Sequence, residues 1–419
     1  MTGETSPNLD LLLLATVLQL ELSERDLRVT DKRYHHLETH LQRPESSVRH
    51  LMGTASVYAQ GSRAIGATIV HGVADEDRFD LDAVIELAIP PLWTPRKALD
   101  ELHTSLQGFP DVQEIERCTR CVQLRFAFMH LDVTVMRPGA APRPERVGEI
   151  FHSPDRGADE THWVNPYGFA EWVKARAVPP SVSFHTAAND LRRSLGVADR
   201  FVDTIPSLMY AVRAETQNLP APLDPIRDSW QIIALKLMKR YLNLRYANRS
   251  EKRPISVYLS KIAVEVPLNR HGICSQLEGF AVELDRRIAI AVDEGCWPEE
   301  RNPVYPEENF NDRWPRDVAA MRLFRDDLRH LCGELRRARQ SAVAEIQSIF
   351  DGLFGERVSA AAIRTYADNL PSVPRKPSYE HGKGFVVAPA VLRPVTEQTT
   401  TSRVSRAPAH TFHPRRLKR

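Results

Sequence analysis

Two aspartates separated by one residue, Asp80 and Asp82, give the first indication of chemistry in this sequence. Polar and apolar residues alternate around them in FDLDAVIEL (79–87), and this period of two predicts a β-strand that carries both carboxylates on one face. An isolated Asp-x-Asp pair is more often a solvated strand edge. Paired carboxylates also suit Mg²⁺, which binds one or two of them and fills its other positions with water and phosphate oxygens.

A third carboxylate, Asp132, stands near the end of a second strand-like run, VQLRFAFMHLDVTV (122–135). If the two strands are neighbours, Asp132 lies beside Asp80 and Asp82. Three convergent carboxylates can hold two metal ions about 3.5–4 Å apart, an arrangement that supports in-line displacement at phosphorus. The three aspartates therefore predict a two-metal site for phosphoryl transfer.

A Gly-Ser pair, Gly61 and Ser62, precedes the Asp-x-Asp strand. Such a pair is usually only a turn. Glycine also allows the backbone to approach a ligand closely, and backbone N–H groups with a hydroxyl at the start of a helix can hold phosphate oxygens. Beside a metal site, this pair is predicted to bind the phosphates of a nucleotide.

The order Gly-Ser, Asp-x-Asp and a single Asp on a later strand resembles the polymerase-β-like nucleotidyltransferases. More narrowly, GSRAIGATI followed by DRFDLDAVIEL resembles the bacterial cGAS/DncV-like nucleotidyltransferases, which make cyclic oligonucleotide second messengers in anti-phage defence. HWVNPYGFAEWV (162–173) and NPVYPEENFNDRW (302–314) extend the resemblance. The similar blocks together cover most of residues 55–315.

The resemblance implies an α+β fold: a polymerase-β-like palm of mixed sheet and helices, a C-terminal helical domain, and a catalytic cleft between them. It implies that two Mg²⁺ ions, or Mn²⁺, bind the predicted catalytic residues Asp80, Asp82 and Asp132, and that NTPs are the substrates. The residues expected to bind the nucleotide are Gln60, Gly61, Ser62, Lys236, Lys239 and Ser256.

A helix predicted over residues 228–246 carries an apolar stripe with Lys236 and Lys239 on one flank. Such a basic cluster could hold the β- and γ-phosphates across a cleft, or it could be a solvated flank of the helix. The resembled family uses a lysine on a helix of this kind, followed by Lys-Arg as here, to contact the triphosphate. Which of the two lysines does so stays open.

A chain of 419 residues that is 42% hydrophobic and 26% charged is long enough for two globular domains. Five cysteines, an odd number, fit a reducing cytoplasm, and neither a membrane span nor a signal peptide is expected. The predicted parts are an N-terminal helical segment packing across both lobes (1–49), the palm (50–164), the helical domain (165–366) and a disordered Pro-rich basic tail (367–419).

The near balance of 56 Lys/Arg and 54 Asp/Glu conceals an asymmetry. The last 53 residues hold ten Lys/Arg and three Asp/Glu, which leaves 46 and 51 for the rest. A slightly acidic body does not favour long nucleic acid, because phosphate contacts require a basic surface. The body is predicted to bind small nucleotides, whereas the tail could contact nucleic acid weakly, bind a partner or remain a solvated extension.

Local patterns predict further elements. Residues 91–106 carry a helix signal that begins near a proline, and residues 112–115 and 122–135 are each typical of one strand. Residues 150–163 are predicted to form an irregular polar loop at the rim of the cleft, and 302–314 a packed loop. Further helices are predicted over 8–42 (one or two), 165–178, 189–214, 255–264 and 318–354.

Several cysteines and histidines have spacings typical of zinc sites. Cys118 and Cys121 could join His271 and Cys274, or His271 and Cys274 could join Cys296. The long separation between the first two pairs argues against a shared site. Another histidine, His130, stands two residues before Asp132, where it could adjust the surroundings of the metal or be purely structural.

The predicted activity is metal-dependent nucleotidyl transfer that ends in a cyclic di- or trinucleotide, as the resemblance implies. The resemblance also implies a separate effector that binds the product, and it leaves room for a regulatory protein. Two alternatives are an acceptor-directed nucleotidyltransferase acting on tRNA or other RNA, a protein or a small molecule, and a catalytically inactive binding module. The presence of all three acids argues against the latter.

Overall fold

The computed structural model describes residues 8–70, 79–140, 144–178, 180–194, 225–369, 378–380 and 384–386. Within these residues, one part of the chain forms a seven-stranded mixed sheet, and most of the rest is helical. The predicted α+β class is therefore confirmed. Among the described helices, none is both long and apolar enough to cross a membrane.

The sheet has the order β1-β2-β5-β4-β3. Strand β6 pairs with the C-terminal part of β5, on the same edge of β5 that pairs with β4, and β7 pairs with β6. Strands β2 and β5 are parallel, and the other pairs are antiparallel. The strands are β1 Met52–Gln60, β2 Phe79–Leu87, β3 Glu114–Arg117, β4 Val122–Arg125, β5 Met129–Pro138, β6 Gly148–His152 and β7 Glu160–Val164.

Two predictions about the sheet were wrong. Residues 122–135 form two antiparallel strands, because the chain turns at the Phe-Ala-Phe segment, where the Phe126 N–H donates to the Met129 carbonyl at 2.9 Å. Residues 150–163 are not an irregular loop but contribute to the β6–β7 hairpin. This hairpin escapes a hydrophobic pattern search because both of its strands have partly exposed faces.

Most of the predicted helices are present, but the helices Ile273–Asp293 and Glu356–Asn369 were not predicted, and two predicted segments differ in form. The predicted helix 318–354 is broken at Ser341, whose backbone is extended, and 302–314 contains a short hairpin, β8 Arg301–Asn302 with β9 Tyr305–Asn309. The helices are α1 Leu9–Leu20, α2 Glu24–Leu41, α3 Gly61–Ala64, α4 Pro95–Leu106, α5 Pro166–Arg176, α6 Val182–Ser194, α7 Trp230–Tyr246, α8 Ser256–Glu265, α9 Ile273–Asp293, α10 Val318–Gln340, α11 Val343–Phe354 and α12 Glu356–Asn369.

The N-terminal segment contributes to both hydrophobic cores. Helix α1 is buried almost all round among the helices, whereas α2 buries one face against the sheet. Glu21 lies between them and is buried. Helix α7 is buried along nearly its whole length in the helical core. This packing fixes the rotation of α7 about its own axis, and therefore the direction in which each of its lysines points.

Two predicted segments lie largely outside the described residues. Of the predicted helix 189–214, the structure describes only the part that ends with α6 at Ser194. Of the predicted disordered tail, residues 378–380 and 384–386 form a short antiparallel pair, β10 Ser378–Glu380 and β11 Gly384–Val386. The end of α12 also reaches into the tail range.

Candidate active site

Four polar side chains form a row across four strands of the sheet. Gln60 on β1 pairs with Asp82 on β2, Asp82 pairs with Asp132 on β5, and Asp132 pairs with Gln123 on β4. Residues opposite each other on neighbouring strands project from the same face. The parallel register of β2 and β5 thus brings together two aspartates that are 50 positions apart in the sequence.

This row opens into a cavity of about 570 Å³ between the sheet and the helices. All three predicted catalytic aspartates line it, as do five of the six predicted nucleotide-binding residues. The residues that line the cavity include Gln60, Gly61, Ser62, Asp80, Asp82, Cys121, Gln123, His130, Asp132, Lys239, Arg253, Ser256, Glu308, Phe310 and Arg313.

The acids repel one another in this low-dielectric setting. Burial, together with the charges of Asp132 and Asp80, raises the pKa of Asp82 to about 7, and Lys239 opposes the shift. Burial also raises the pKa of Asp132, although a hydrogen bond from Gln123 Nε2 to its Oδ1, 2.8 Å long, acts in the opposite direction. Both carboxyls are thus held in an environment that a cation would relieve.

Asp80 lies at the more open edge of the row, with its side chain 54% exposed. His130, its partner in register on β5, places Nδ1 3.8 Å from Asp80 Oδ1. Among the described residues, no three His, Cys, Asp or Glu side chains already stand close enough to form a metal centre. The three aspartates nevertheless suit oxygen-ligated Mg²⁺ or Mn²⁺, because their carboxylates are adjacent and the charges of Asp132 and Asp80 raise the pKa of Asp82.

Gly61 begins α3, which is only four residues long. Its backbone has φ +60°, and a Cβ atom here would lie 2.2 Å from Asp82 Oδ2. Glycine is therefore required both by the left-handed conformation and by the close approach to an acid. The Ser62 carbonyl accepts a hydrogen bond from the Ala67 N–H at 2.8 Å, which closes the turn beside the cavity.

The structure places the two lysines of α7 in different environments. Lys239 lines the cavity, and its Nζ donates to the Ala67 carbonyl at 3.0 Å. Burial and the nearby Arg253 lower the pKa of Lys239 to about 8, against the attraction of Asp80 and Asp82. A triphosphate would relieve this buried cation in the same way that a metal would relieve the acids.

Lys236 does not line this cavity, so of the two lysines Lys239 is the one that lies beside the aspartates. Its Nζ donates to Glu21 Oε1 at 2.5 Å and to the Arg227 carbonyl at 3.2 Å. Glu21 also pairs with Arg192 and Arg227. Because three residues correspond to almost one helical turn, the two lysines lie near one another on α7, but their side chains enter different parts of the packed core.

Arg253 is a cationic residue of the cavity that the sequence interpretation did not select. It lines the cavity just before α8, and its Nη1 donates to Ser256 Oγ at 3.4 Å. Burial lowers the pKa of Arg253, and Asp80 opposes this shift. No ion pair of Arg253 is present among the described residues, and the only sequence signal was its position ahead of the Pro-Ile-Ser helix start.

A buried interlock joins the two sequence blocks that extended the resemblance. Glu308 Oε2 accepts hydrogen bonds from the Asn165 N–H at 3.0 Å and from Asn302 Nδ2 at 2.6 Å. Asn165 in turn caps α5, because its Oδ1 accepts from the Gly168 N–H at 2.8 Å. The blocks 162–173 and 302–314 are thus two halves of one wall of the cleft.

The candidate zinc ligands fall into two distant settings. Cys118 and Cys121 face each other across the β3–β4 turn, where the Cys118 N–H donates to the Cys121 carbonyl at 2.9 Å, and Cys121 lines the cavity near Asp132. Cys274 is buried, and its N–H donates to Asp10 Oδ1 at 2.8 Å, whereas His271 is exposed. Within the described chain, neither proposed zinc set is assembled.

Comparisons with known proteins agree with this geometry. No protein-family model matches the chain. The chain is 32% identical over 377 residues to the cyclic dinucleotide synthase CdnG of Bradyrhizobium diazoefficiens, covering 87% of this chain and 86% of the relative. The structure of the B. diazoefficiens CD-NTase CdnG in complex with GTP matches with a TM-score of 0.71 and 30% identity, covering 86% of this chain and 99% of that one.

A more distant structure shares the fold. The E. coli MS115-1 CdnC structure with ATP matches with a TM-score of 0.50 and 15% identity, covering 82% of this chain and 96% of that one. At that identity the likeness concerns the fold alone.

Proposed function

This chain belongs to the bacterial cGAS/DncV-like nucleotidyltransferases, and on that premise we propose that it joins NTPs into a cyclic di- or trinucleotide and releases pyrophosphate. Its membership confirms the resemblance predicted from the sequence and makes the protein a nucleotidyltransferase. The observation that carries the proposal is the separation of charge across one cavity. Asp80, Asp82 and Asp132 line it on the sheet, and Lys239 and Arg253 line it in the helical part of the chain.

In the proposed reaction, a ribose hydroxyl of one nucleotide attacks the α-phosphorus of another, and pyrophosphate leaves. Asp132 receives the proton of the attacking hydroxyl at Oδ2, since Gln123 occupies its Oδ1. Metal ions on Asp80, Asp82 and Asp132 would supply charge neutralisation at the non-bridging phosphate oxygens.

The residues opposite the acids are proposed to hold the leaving group. Lys239 and Arg253 would pair with the β- and γ-phosphates, and the hydroxyls of Ser62 and Ser256 would add hydrogen bonds to them. These contacts act mainly by positioning and by fixed charge in a partly dry cavity. We also propose that residues 50–164 and 165–366 act as the two lobes of this cleft.

The cyclic product is proposed to act as a second messenger in anti-phage signalling, read by a separate effector. This part rests on family membership alone.

The direct test is incubation of the full chain with all four labelled NTPs and Mg²⁺ or Mn²⁺, followed by phosphatase treatment and chromatography. A labelled product that resists phosphatase establishes cyclisation, and omission of one NTP at a time identifies the bases. Label transferred only to added RNA, protein or a small molecule would establish the acceptor-directed alternative in its place.

A further inference from the structure

Gln123 on β4 connects the row of acids to a charged cluster at the edge of the sheet. Its Nε2 donates to Asp132 Oδ1 at 2.8 Å, and its Oε1 accepts from Arg125 Nε at 2.9 Å. Arg125 Nη1 donates to Glu114 at 2.9 Å, and Nη2 donates to Glu116. All three nitrogens of this guanidinium are therefore engaged, and hydrogen bonds run without a break from two surface acids to the carboxylate of Asp132.

The register of β3, β4 and β5 places these side chains together. Gln123 lies opposite Asp132 on one side and Glu116 on the other. Arg125 lies opposite Glu114. Residues opposite one another on neighbouring strands, and residues two apart on one strand, project from the same face of a sheet. All five side chains therefore lie on the face that carries the acids.

The two ends of the Gln123 side chain have opposite requirements. Arg125 can only donate a hydrogen bond, and an ionised Asp132 can only accept one. A glutamine meets both requirements, because its amide accepts at Oε1 and donates at Nε2. A glutamate at this position would place a second acceptor against the acid, and a methionine would make neither hydrogen bond.

The charged end of the cluster adds little to the stability of the fold. The side chains of Arg125, Glu114 and Glu116 are 40%, 56% and 46% exposed, and ion pairs as exposed as these contribute little. Their geometric effect is larger, because two acids hold Arg125 in place and Arg125 holds Gln123. Gln123 in turn lines the catalytic cavity.

We propose that Gln123 and Arg125 are positioning residues, which hold the carboxylate of Asp132 in the orientation that binds metal and meets the attacking hydroxyl. This inference rests on the proposed function, since it concerns the part that Asp132 plays in the transfer. Gln123 acts on Oδ1 of Asp132, and Arg125 acts through Gln123. Hydrogen-bond partners of a metal ligand commonly contribute about 10- to 100-fold to metal affinity or activity.

The test measures kcat and KM on the full chain with Mg²⁺ and NTPs, and Mn²⁺ binding to the nucleotide-free protein by electron paramagnetic resonance. Q123M keeps the length of the side chain but removes both hydrogen bonds, and it should lower kcat and Mn²⁺ affinity by about 10- to 100-fold. R125M should lower both by about 3- to 10-fold, with KM for the NTPs almost unchanged. R125K still donates to Gln123 and should recover most of this loss.

The double variant Q123M/R125M separates positioning from a merely structural role. If Arg125 acts through Gln123, R125M should cause no further loss once Gln123 has been replaced, whereas independent losses would multiply. The matched control is R117M on β3 of the same hairpin. Arg117 pairs with Asp100, donates to the Ser153 carbonyl and does not line the cavity, so R117M should have wild-type kcat and Mn²⁺ affinity.

Either of two results would overturn the inference: wild-type kcat and Mn²⁺ affinity in Q123M, or losses that multiply in the double variant. If Q123M does not fold, the exposed position 125 keeps the test decisive, because unchanged kcat and Mn²⁺ affinity in R125M would overturn the inference as well. Failure of the proposed function has a different signature. A wild-type protein that forms only linear or acceptor-linked products, with Mn²⁺ affinity still lowered in Q123M, would reject cyclisation and preserve the positioning of Asp132.

Discussion

A Cβ atom built on Gly61 would lie 2.2 Å from Oδ2 of Asp82, so the first residue of the Gly-Ser pair and the second acid of the Asp-x-Asp pair touch. This contact explains why the motif needs glycine and not merely a small residue. A serine or alanine at position 61 would have to displace the carboxylate on which the proposed metal site depends.

The substitution G61A should reduce turnover by about 100-fold or more, because it displaces Asp82 from its place in the row, and a misplacement of about 1 Å can cost that much. It should also destabilise the fold by about 1–2 kcal/mol, since alanine is strained at φ +60°. Steady-state pyrophosphate release and chemical denaturation measure the two effects.

Gly295 provides the control for this substitution, because it has φ +64° and a Cβ atom added there would meet no other atom within 4 Å. G295A should show a similar loss of stability and wild-type turnover. If both variants lose activity equally, backbone strain accounts for the result and the contact with Asp82 does not.

The two lysines of α7 should respond differently to substitution by glutamine. K239Q removes a cavity cation and should reduce kcat/KM by about 10- to 100-fold, with little change in stability. K236Q breaks a buried ion pair with Glu21 and should destabilise the fold by about 3 kcal/mol. The loss should not be larger, because Arg192 and Arg227 still compensate part of the Glu21 charge.

Both lysine variants are compared below their melting temperatures by initial rates, and their stabilities by urea unfolding. Folded K236Q should retain most of the activity. A K236Q protein that is folded but as inactive as K239Q would show that the Glu21 network acts directly on the chemistry.

The metal-free protein should lose stability as the pH rises from about 4 to 7. Asp82 has a folded-state pKa of about 7, above its ordinary value of 3.8, so the folded state holds a proton in this range that the unfolded state has released. The loss should be about 1–3 kcal/mol, less than the full shift allows because Asp82 keeps some contact with water.

Thermal unfolding in EDTA across this pH range measures the effect. D82N should be the more stable protein at pH 8, should lack this component of the pH dependence and should be inactive. D100N, which changes an exposed aspartate, serves as the control, and its stability should depend on pH as that of the wild-type protein does. Stability that rises from pH 4 to 7 in wild type but not in D82N would contradict the assigned direction.

Arg253 should matter for turnover although no sequence motif singled it out. R253A removes the cation beside Asp80 and Lys239 and should lower kcat/KM by about 10- to 100-fold, with R253K recovering part of the loss. The neighbouring exposed lysine supplies the control, K252A, which should have wild-type kinetics. Inhibition by added pyrophosphate should weaken in R253A, and an unchanged inhibition constant would remove Arg253 from the leaving-group site.

Local patterns predicted the strand that holds Asp80 and Asp82, the helix that holds both lysines, and the resemblance that gave the family. These signals are local: alternation with period two, an apolar stripe with helical period, and motifs that are recognised by the order of their residues along the chain. The β6–β7 hairpin and the break at Ser341 were missed because partly exposed strands and an extended residue between two helices leave little hydrophobic pattern.

The sequence by itself determined the identity of the acids, the glycine and the candidate cations, because residue type and order carry that information. Only the tertiary structure decided that Asp82 and Asp132 are neighbours, which depends on the parallel register of β2 and β5. It also decided that Lys239 enters the cavity while Lys236 pairs with Glu21. Each of these depends on packing between segments far apart in the chain, and no local pattern encodes it.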